Sequence, residues 1–163
     1  MGTHPAISDA APAPPLPDPA TGPPAGVRLV LVAAVALLDA TGRVLIAQRP
    51  PGKRLAGLWE FPGGKVEAGE RPEQTAIREL REELAVDVAE RALDAFTFAS
   101  HDYGDFHLLM PLYLARRWRG APTPQDGQAI AWVPVAQLGD YAMPPADLPL
   151  VAHLQKAAAA GAL

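Results

Sequence analysis

Three glutamates, Glu79, Glu82 and Glu83, lie close together in a segment whose apolar spacing predicts one helix over Pro72 to Leu84. Glu79 and Glu83 are four residues apart and face each other on a helix, which costs roughly a few tenths of a kcal/mol without a nearby cation. The spacing therefore indicates a positive group beside them. The alternative is a solvated acidic face, partly relieved by Arg78 pairing with Glu82.

A glycine-rich corner, Glu60-Phe61-Pro62-Gly63-Gly64-Lys65, precedes this helix. Glycine backbone can approach a ligand closely and turn a carbonyl oxygen toward a cation. Three carboxylates and one carbonyl would make an all-oxygen site that suits Mg²⁺ or Mn²⁺. Because magnesium keeps several waters and usually also binds substrate phosphates, the pattern predicts a phosphorylated substrate, with a di- or triphosphate as the best fit.

The stretch from Gly64 to Val86 resembles the Nudix box, G-x5-E-x7-R-E-U-x-E-E-x-G-U, where U is aliphatic. Every spacing agrees, from Gly64 through Glu70 to the run that begins at Arg78. One residue departs from the pattern, since Ala85 stands where the family has Gly. That Gly would take a left-handed conformation after the helix, so Ala85 either costs about 1 kcal/mol or the helix ends differently.

Further segments resemble MutT-type 8-oxo-dGTP diphosphatases within this family, and they follow in the same order along the chain. They are Glu60 to Lys65, Gly69 to Gln74, His107 to Gly120 and Pro144 to Asp147, and the resemblance as a whole runs from about Val27 to Leu154. The resemblance implies an α+β fold, namely an α/β/α sandwich with a mixed central sheet. It also implies hydrolysis of a nucleoside triphosphate to the monophosphate and pyrophosphate with Mg²⁺ or Mn²⁺, which would clear 8-oxo-dGTP from the nucleotide pool. The alternatives are hydrolysis of CTP, dCTP or a dinucleotide, and a non-catalytic nucleotide-binding domain. Loss of a box carboxylate would mark the non-catalytic domain, and none is lost.

The resemblance assigns the hydrolytic roles residue by residue. Glu79 is the expected base for the attacking water, Arg78 positions the glutamates, and Glu82 is a lesser candidate for the base. The expected metal ligands are the Gly63 carbonyl, Glu79, Glu82, Glu83 and, from a loop, Asp126. Asp126 has an alternative role as a turn residue before Gly127.

The expected substrate-binding residues fall into a nucleoside group and a phosphate group. Asp147 stands where MutT-type enzymes have an Asn that reads the oxidised guanine. An ionised Asp only accepts hydrogen bonds, so it would favour a base edge that presents donors, unless burial keeps the carboxyl protonated. Its alternative role is the N-cap of the last helix. Phe106 replaces an Arg of those enzymes, so no base contact is carried over to it. The nucleoside group is Arg49, Arg54, Glu60, Phe61, Pro62 and Asp147, and the phosphate group is Gly63 and Lys65.

The elements that must position these residues are strands and two helices. The aliphatic run Val27 to Asp39 predicts a buried strand, and Arg43 to Arg49 predicts its hairpin partner. A closing helix is expected over Leu148 to Ala160. Further strands are predicted over Ala92 to Ala99, Phe106 to Trp118, and Ala129 to Val133.

Composition limits the partners. The 163 residues carry 14 Lys and Arg against 18 Asp and Glu, a formal charge of −4, which disfavours binding to long nucleic acid. The chain has no Cys, so thiolate zinc sites and disulfides are excluded. The longest apolar run, Leu29 to Leu38, is ten residues, too short for a membrane span. We expect a cytoplasmic protein; a monomer is favoured, although the sequence leaves the oligomeric state open.

The N-terminal segment differs from the rest of the chain. Residues 1–26 contain 8 of the 19 prolines and no Lys or Arg, which predicts a disordered Ala/Pro-rich arm and excludes a secretory signal. The Nudix hydrolase domain is therefore expected over residues 27–163.

Overall fold

The computed structural model describes residues 26–163, and the predicted arm, apart from Gly26, lies outside the described residues. Seven strands and two helices follow in chain order, with 3₁₀ turns at Glu90–Ala92 and Val135–Asp140. The helices are α1 (Pro72–Leu84) and α2 (Leu148–Ala159). The strands are β1 (Leu29–Leu37), β2 (Arg43–Gln48), β3 (Trp59–Glu60), β4 (Gly63–Lys65), β5 (Leu93–Asp102), β6 (His107–Ala115) and β7 (Ile130–Pro134).

The strands form two sheets. The first has the order β4-β1-β6-β5 and is mixed, because β1 runs parallel to β6 and antiparallel to β4. The second has the order β3-β2-β7 and is antiparallel. The predicted hairpin of the first two strands is therefore wrong. Both edges of β1 are taken by β4 and β6. Next to the turn, a bridge between Leu38 and Val44 and a hydrogen bond from the Asp39 N–H to the Arg43 carbonyl connect the two segments without forming a ladder.

Both faces of β1 are buried, each against a different helix. Ala33, Val35 and Leu37 pack in a cluster with Leu80 and Leu84 of α1. The alternate residues of the strand, Ala34 and Ala36, pack in a second cluster that contains buried residues of α2. This two-sided burial explains the continuous aliphatic sequence and confirms the predicted layered α+β fold.

Helix α1 has the predicted bounds. Its first turn contains Pro72, and the side-chain oxygen of Gln74 accepts a hydrogen bond from the Arg71 backbone N–H at 2.9 Å. The Gln74 side chain thus satisfies the backbone N–H of the N-cap residue, as the residue at the third helical position does in a capping box. At the other end Ala85 is left-handed, with φ 55° and ψ 32°. The alanine therefore adopts the conformation that the family's glycine favours.

Two strands were missed by the sequence analysis because each is very short. β3 has two residues and β4 has three, so neither shows an alternating apolar pattern. Within residues 26–163, no helix has the length and apolar character needed to cross a bilayer. The missed strand β4 is the one that carries the glycine corner.

Candidate active site

A cavity of about 610 Å³ opens where β4, α1 and the loops around β2, β5 and β6 meet. Its walls include apolar side chains from two strands, among them Val30, Val32, Leu108 and Met110. Six acidic side chains of residues 26–163 line it: Glu79 and Glu83 beside the glycine corner, Asp105 and Asp126 from loops, and Asp147 with Glu60, whose charge acts on both Glu83 and Asp147. The cavity therefore has a polar corner and an apolar part with an acidic floor.

The glycine corner is built from backbone that leaves no room for side chains. Strand β4 pairs with β1, so that Gly63 lies opposite Ala34 and Gly64 opposite Ala33. A Cβ atom added to Gly64 would lie 2.2 Å from Oε1 of Glu79, so the carboxylate occupies the space directly over that glycine. Glycine is needed at residue 64 because the Glu79 carboxylate approaches the backbone this closely.

Glu83 lies on the other side of the same corner. Its Oε2 accepts a hydrogen bond from the Gly63 backbone N–H at 3.2 Å. Burial, and after it the nearby charge of Glu79, raise the pKa of Glu83 to about 8, while the hydrogen bond from the Gly63 N–H opposes the shift. Two carboxylates thus share a partly buried corner at an electrostatic cost that a divalent cation would remove. The donor set and the glycine cradle fit such an ion.

Arg78 holds the glutamates rather than lining the cavity. Its Nε and Nη2 donate to the two oxygens of Glu70 at 2.7 and 3.0 Å. Its Nη1 donates to Glu79 Oε1 at 2.8 Å and to Glu82 Oε2 at 3.4 Å. The hydrogen bond from Arg78, with one from Thr75, lowers the pKa of Glu70 to about 2. This network fixes the Glu79 carboxylate over Gly64.

Glu82 and Asp126 are placed differently from Glu79 and Glu83. The Glu82 side chain is 60% exposed, contacts Arg78 and does not line the cavity. Asp126 lines the cavity from the turn that contains Gly127. It is therefore a turn residue, as one alternative expected, and its role as a metal ligand stays a prediction. Among residues 26–163, no three acidic or histidine side chains are grouped closely enough to hold a metal ion. Substrate oxygens or water must therefore complete any ion's coordination.

The loop that carries Asp126 is held by the end of α1. The Gln125 backbone N–H and the Gln128 side-chain amide both donate to the Glu83 carbonyl, at 3.0 Å each. The Thr123 N–H donates to the Leu84 carbonyl at 2.8 Å. Helix carbonyls without an intrahelical partner thus fix the loop. No local pattern in the sequence predicts this link, because its donors lie about 40 residues beyond the helix.

The acidic floor is formed by Glu60 and Asp147. Arg49 Nη1 donates to Glu60 Oε2 at 2.5 Å, yet burial outweighs this contact and raises the pKa of Glu60. Asp147 is 4% exposed, and its Oδ1 lies 3.5 Å from the Phe61 backbone N–H. Burial, with repulsion from Glu60, raises the pKa of Asp147 to about 7. Its side chain makes no capping bond to α2, so the geometry favours the cavity role over the N-cap alternative.

The other predicted substrate residues surround these groups. Arg54 and Lys65 line the cavity with exposed side chains, and Phe61 and Pro62 are buried in its wall. The cavity also includes Lys53, Tyr103 and Asp105, which the sequence analysis did not select. Lys53 and Asp105 lie in polar loops, so no local pattern distinguishes them from other surface residues. In the turn around Gly104, the nearby aromatic residues Tyr103 and Phe106 were the one feature of the sequence that could have indicated a binding role.

Comparison with known proteins agrees with this geometry. A family model described as the NUDIX domain matches residues 33–153, about three quarters of the chain. The chain belongs to the Nudix family. The matched Nudix region contains the glycine corner, all of α1 and Asp147, so both ends of the cavity fall within it.

Several Nudix relatives are similar over most of their length. The 8-oxo-dGTP diphosphatase of Escherichia coli K12 is 32% identical over 130 residues, covering 80% of this chain and 99% of the relative. The CTP pyrophosphohydrolase of the same organism is 35% identical over 127 residues, covering 77% and 90%. A solved MutT structure, from work on Aliivibrio salmonicida and Vibrio cholerae, is 35% identical with a TM-score of 0.68, covering 79% of this chain and 98% of that one. Nudix hydrolases generally use a divalent metal ion, and the Glu79 and Glu83 carboxylates suit one.

Proposed function

We propose that this Nudix protein hydrolyses nucleoside triphosphates to the nucleoside monophosphate and pyrophosphate, with Mg²⁺ as the working ion and 8-oxo-dGTP as the main substrate. One observation carries the proposal. Two carboxylates of one helix, Glu79 and Glu83, meet the Gly63–Gly64 corner in a cavity whose other part has apolar walls and an acidic floor. A nucleotide has the matching halves, an anionic polyphosphate and a flat base with polar edges.

Glu79 is positioned to orient or accept the proton of the attacking water. Arg78 holds one of its oxygens, and Gly64 leaves its carboxylate open to the cavity. A divalent ion held by Glu79, Glu83 and the Gly63 carbonyl, with Glu82 and Asp126 through water, would neutralise polyphosphate charge and favour ionisation of the attacking water. Lys65 would meet the phosphates from the exposed side of the corner.

The acidic floor is the proposed base-reading element. Asp147 and Glu60 present carboxyl oxygens, which suit the N1–H and N2–H₂ donors of a guanine. Oxidation at C8 adds an N7–H donor on the other edge of the base. Arg49, Arg54, Phe61 and Pro62 would complete the nucleoside site.

A second candidate is hydrolysis of CTP or dCTP. It is favoured by the same floor, because cytosine presents an N4–H₂ donor, and because a CTP pyrophosphohydrolase is among the relatives. A dinucleotide substrate and a non-catalytic nucleotide-binding role are the further alternatives. A cytoplasmic location is part of the proposal, since the substrate is the free nucleotide pool.

The test is pyrophosphate release measured with 8-oxo-dGTP, dGTP, CTP and dCTP in Mg²⁺ or Mn²⁺, with a chelator as the control. We expect pyrophosphate, not orthophosphate, as product, the highest kcat/KM for 8-oxo-dGTP, and loss of turnover on chelation. A higher kcat/KM for CTP would favour the second candidate. Absence of turnover on every nucleotide would contradict hydrolysis and favour a binding domain.

A further inference from the structure

Four residues at the mouth of the cavity are not among the groups proposed to carry out the hydrolytic step. Arg54 comes from the segment between β2 and β3, and Tyr103, Asp105 and Phe106 come from the turn between β5 and β6. All four line the cavity, and the side chains of Arg54 and Asp105 are 56% and 69% exposed. Two segments that are distant in sequence therefore meet where the cavity opens to solvent.

The β5–β6 turn places two aromatic rings side by side. The Tyr103 backbone N–H donates to the Phe106 carbonyl at 2.9 Å, and Gly104, with φ 86°, donates to Asp102 Oδ1 at 2.8 Å. The Tyr103 and Phe106 rings stack with centroids 5.1 Å apart and an interplanar angle of 28°. The turn thus presents a short aromatic platform on the cavity side of the sheet.

The guanidinium of Arg54 closes onto this platform. Its central carbon lies 5.3 Å from the Tyr103 ring centroid and 5.5 Å from that of Phe106, within cation–π range. Its Nη1 also lies 3.8 Å from Asp105 Oδ2. Each contact is weak because the groups are largely solvated. We call the arrangement of Arg54, Tyr103 and Phe106 the clamp.

The clamp is connected to the acidic floor. Arg49, which bonds Glu60, also donates from Nε to the Arg54 carbonyl at 2.8 Å. The next residue, Leu55, lines the cavity in a left-handed conformation with φ 60°, and within residues 26–163 only Ala85 is another non-glycine residue with positive φ. Strain of this kind persists where the surroundings hold it. Arg49 thus ties the Arg54 backbone to the acidic floor, whereas the Arg54 guanidinium is held by its weak contacts with the aromatic platform and Asp105.

We propose that Arg54, Tyr103 and Phe106 form a cation–π clamp that closes over the nucleoside and sets the affinity for that half of the substrate. This inference rests on the proposed function. The flat base would lie against the aromatic platform while its polar edge reaches Asp147, and the polyphosphate would extend to the glycine corner. These three residues act as positioning residues, so they affect binding rather than the hydrolytic step. Phe106 supplies a ring where MutT-type enzymes have a guanidinium.

The test compares Tyr103→Leu and Phe106→Leu, which remove a ring but keep apolar bulk, with two controls. Phe98→Leu removes a 62% exposed ring of β5 that does not line the cavity, and Tyr103→Phe keeps the ring. Four constants are measured for each protein: KM and kcat for the preferred triphosphate, the Kd of dGMP, and the inhibition constant of inorganic pyrophosphate.

Both Leu variants are expected to raise KM and the dGMP Kd about five- to tenfold, with kcat within about twofold and pyrophosphate inhibition unchanged. Both controls should match the unmodified protein. The clamp is overturned if the Leu variants behave like Phe98→Leu, or if pyrophosphate inhibition weakens in step with dGMP binding. If the unmodified protein hydrolyses no nucleotide, the proposed function fails, and dGMP binding by the same variants still decides whether the clamp exists.

Discussion

The two ends of the cavity are assembled from different distances along the chain. At the glycine corner, the groups that meet come from one stretch of 21 residues, from Gly63 to Glu83. We call the other end, where we propose that the nucleoside binds, the nucleoside end. Its residues come from segments spread over 99 residues and include Arg49, Glu60, Tyr103 and Asp147. The first geometry depends on β4 and α1 together with the neighbouring strand β1, whereas the second brings together segments from most of the fold. The expected consequence is that the corner determines the chemistry and the other end determines the choice of base.

The strongest test of this division is Glu79→Gln, which keeps the shape of the side chain and removes its charge. We expect kcat for pyrophosphate release to fall by about 10²–10⁴-fold, because the water loses its base and the corner loses one of its carboxylates. KM should change little, since the nucleoside end is intact. Glu90→Gln, on the surface away from the cavity, is the matched control. An unchanged kcat in Glu79→Gln would show that the Glu79 carboxylate at the glycine corner does not take part in the hydrolytic step.

At the nucleoside end, Asp147→Asn should change the pH dependence of stability. The pKa of Asp147 is raised from 3.8 to about 7, mainly by burial and also by Glu60, with the Phe61 N–H and Arg49 opposing. Between these values the folded state holds a proton that the unfolded state has lost, so the free energy of unfolding falls as pH rises. The loss is complete above pH 7 and amounts to at most roughly 4 kcal/mol.

The variant lacks this titration. The difference obtained by subtracting the Tm of the unmodified protein from the Tm of the variant should therefore increase as the pH rises from about 4 to 8. The exposed Asp94→Asn serves as the control. A Tm difference that does not depend on pH would show that Asp147 titrates normally and that the floor is not strained.

Gly64→Ala tests whether the corner needs glycine for function rather than for folding. The added Cβ would lie 2.2 Å from Glu79 Oε1, and a flexible side chain can move away at small cost. We therefore expect kcat to fall about 10- to 100-fold through misplacement of Glu79, with Tm nearly unchanged. Gly139→Ala, where the nearest atom is 3.8 Å away, should change neither quantity. A large fall in Tm for Gly64→Ala, without a specific loss of kcat, would assign the glycine to folding.

The smallest expected effect is that of Ala85→Gly, just beyond the corner's helix. Ala85 has φ 55°, where glycine is favoured, so the substitution should stabilise the protein by about 1 kcal/mol. Its kcat should not change, because the carboxylates precede it. Ala89→Gly, at an exposed residue with φ −73°, should be slightly destabilising instead. Equal effects of the two substitutions would show that the left-handed residue is not strained.

These contrasts also explain what the sequence could predict. Helix α1 was predicted to the residue, because Pro72 at its start and the spacing of Leu80 and Leu84 are local signals. The pairing of β1 with β6 was not, since it brings together Leu29 and His107, which are 78 residues apart in the sequence. The hairpin error has the same origin, because a good turn at Asp39 says nothing about which sheet the next strand joins.

The candidate site divides in the same way. Glu79 and Glu83 were predicted as a pair from helical spacing, and they meet at the corner. The outward placement of Glu82 was not predicted, because it depends on how Arg78 shares its donors among three glutamates. Sequence alone left Asp147 between a base-reading role and an N-cap role; it stands at the N-cap position of α2 without a side-chain capping bond, and base reading stays a prediction.

The central claim is that Glu79 and Glu83 together bind a divalent ion at the glycine corner. Its most direct test is Mn²⁺ titration followed by electron paramagnetic resonance, on the unmodified protein and on the double variant Glu79→Gln and Glu83→Gln, with Glu90→Gln as the control. We predict Mn²⁺ uptake by the unmodified protein and by the control, and its loss in the double variant. Equal uptake by the double variant and the unmodified protein, or no uptake by either, would contradict the claim.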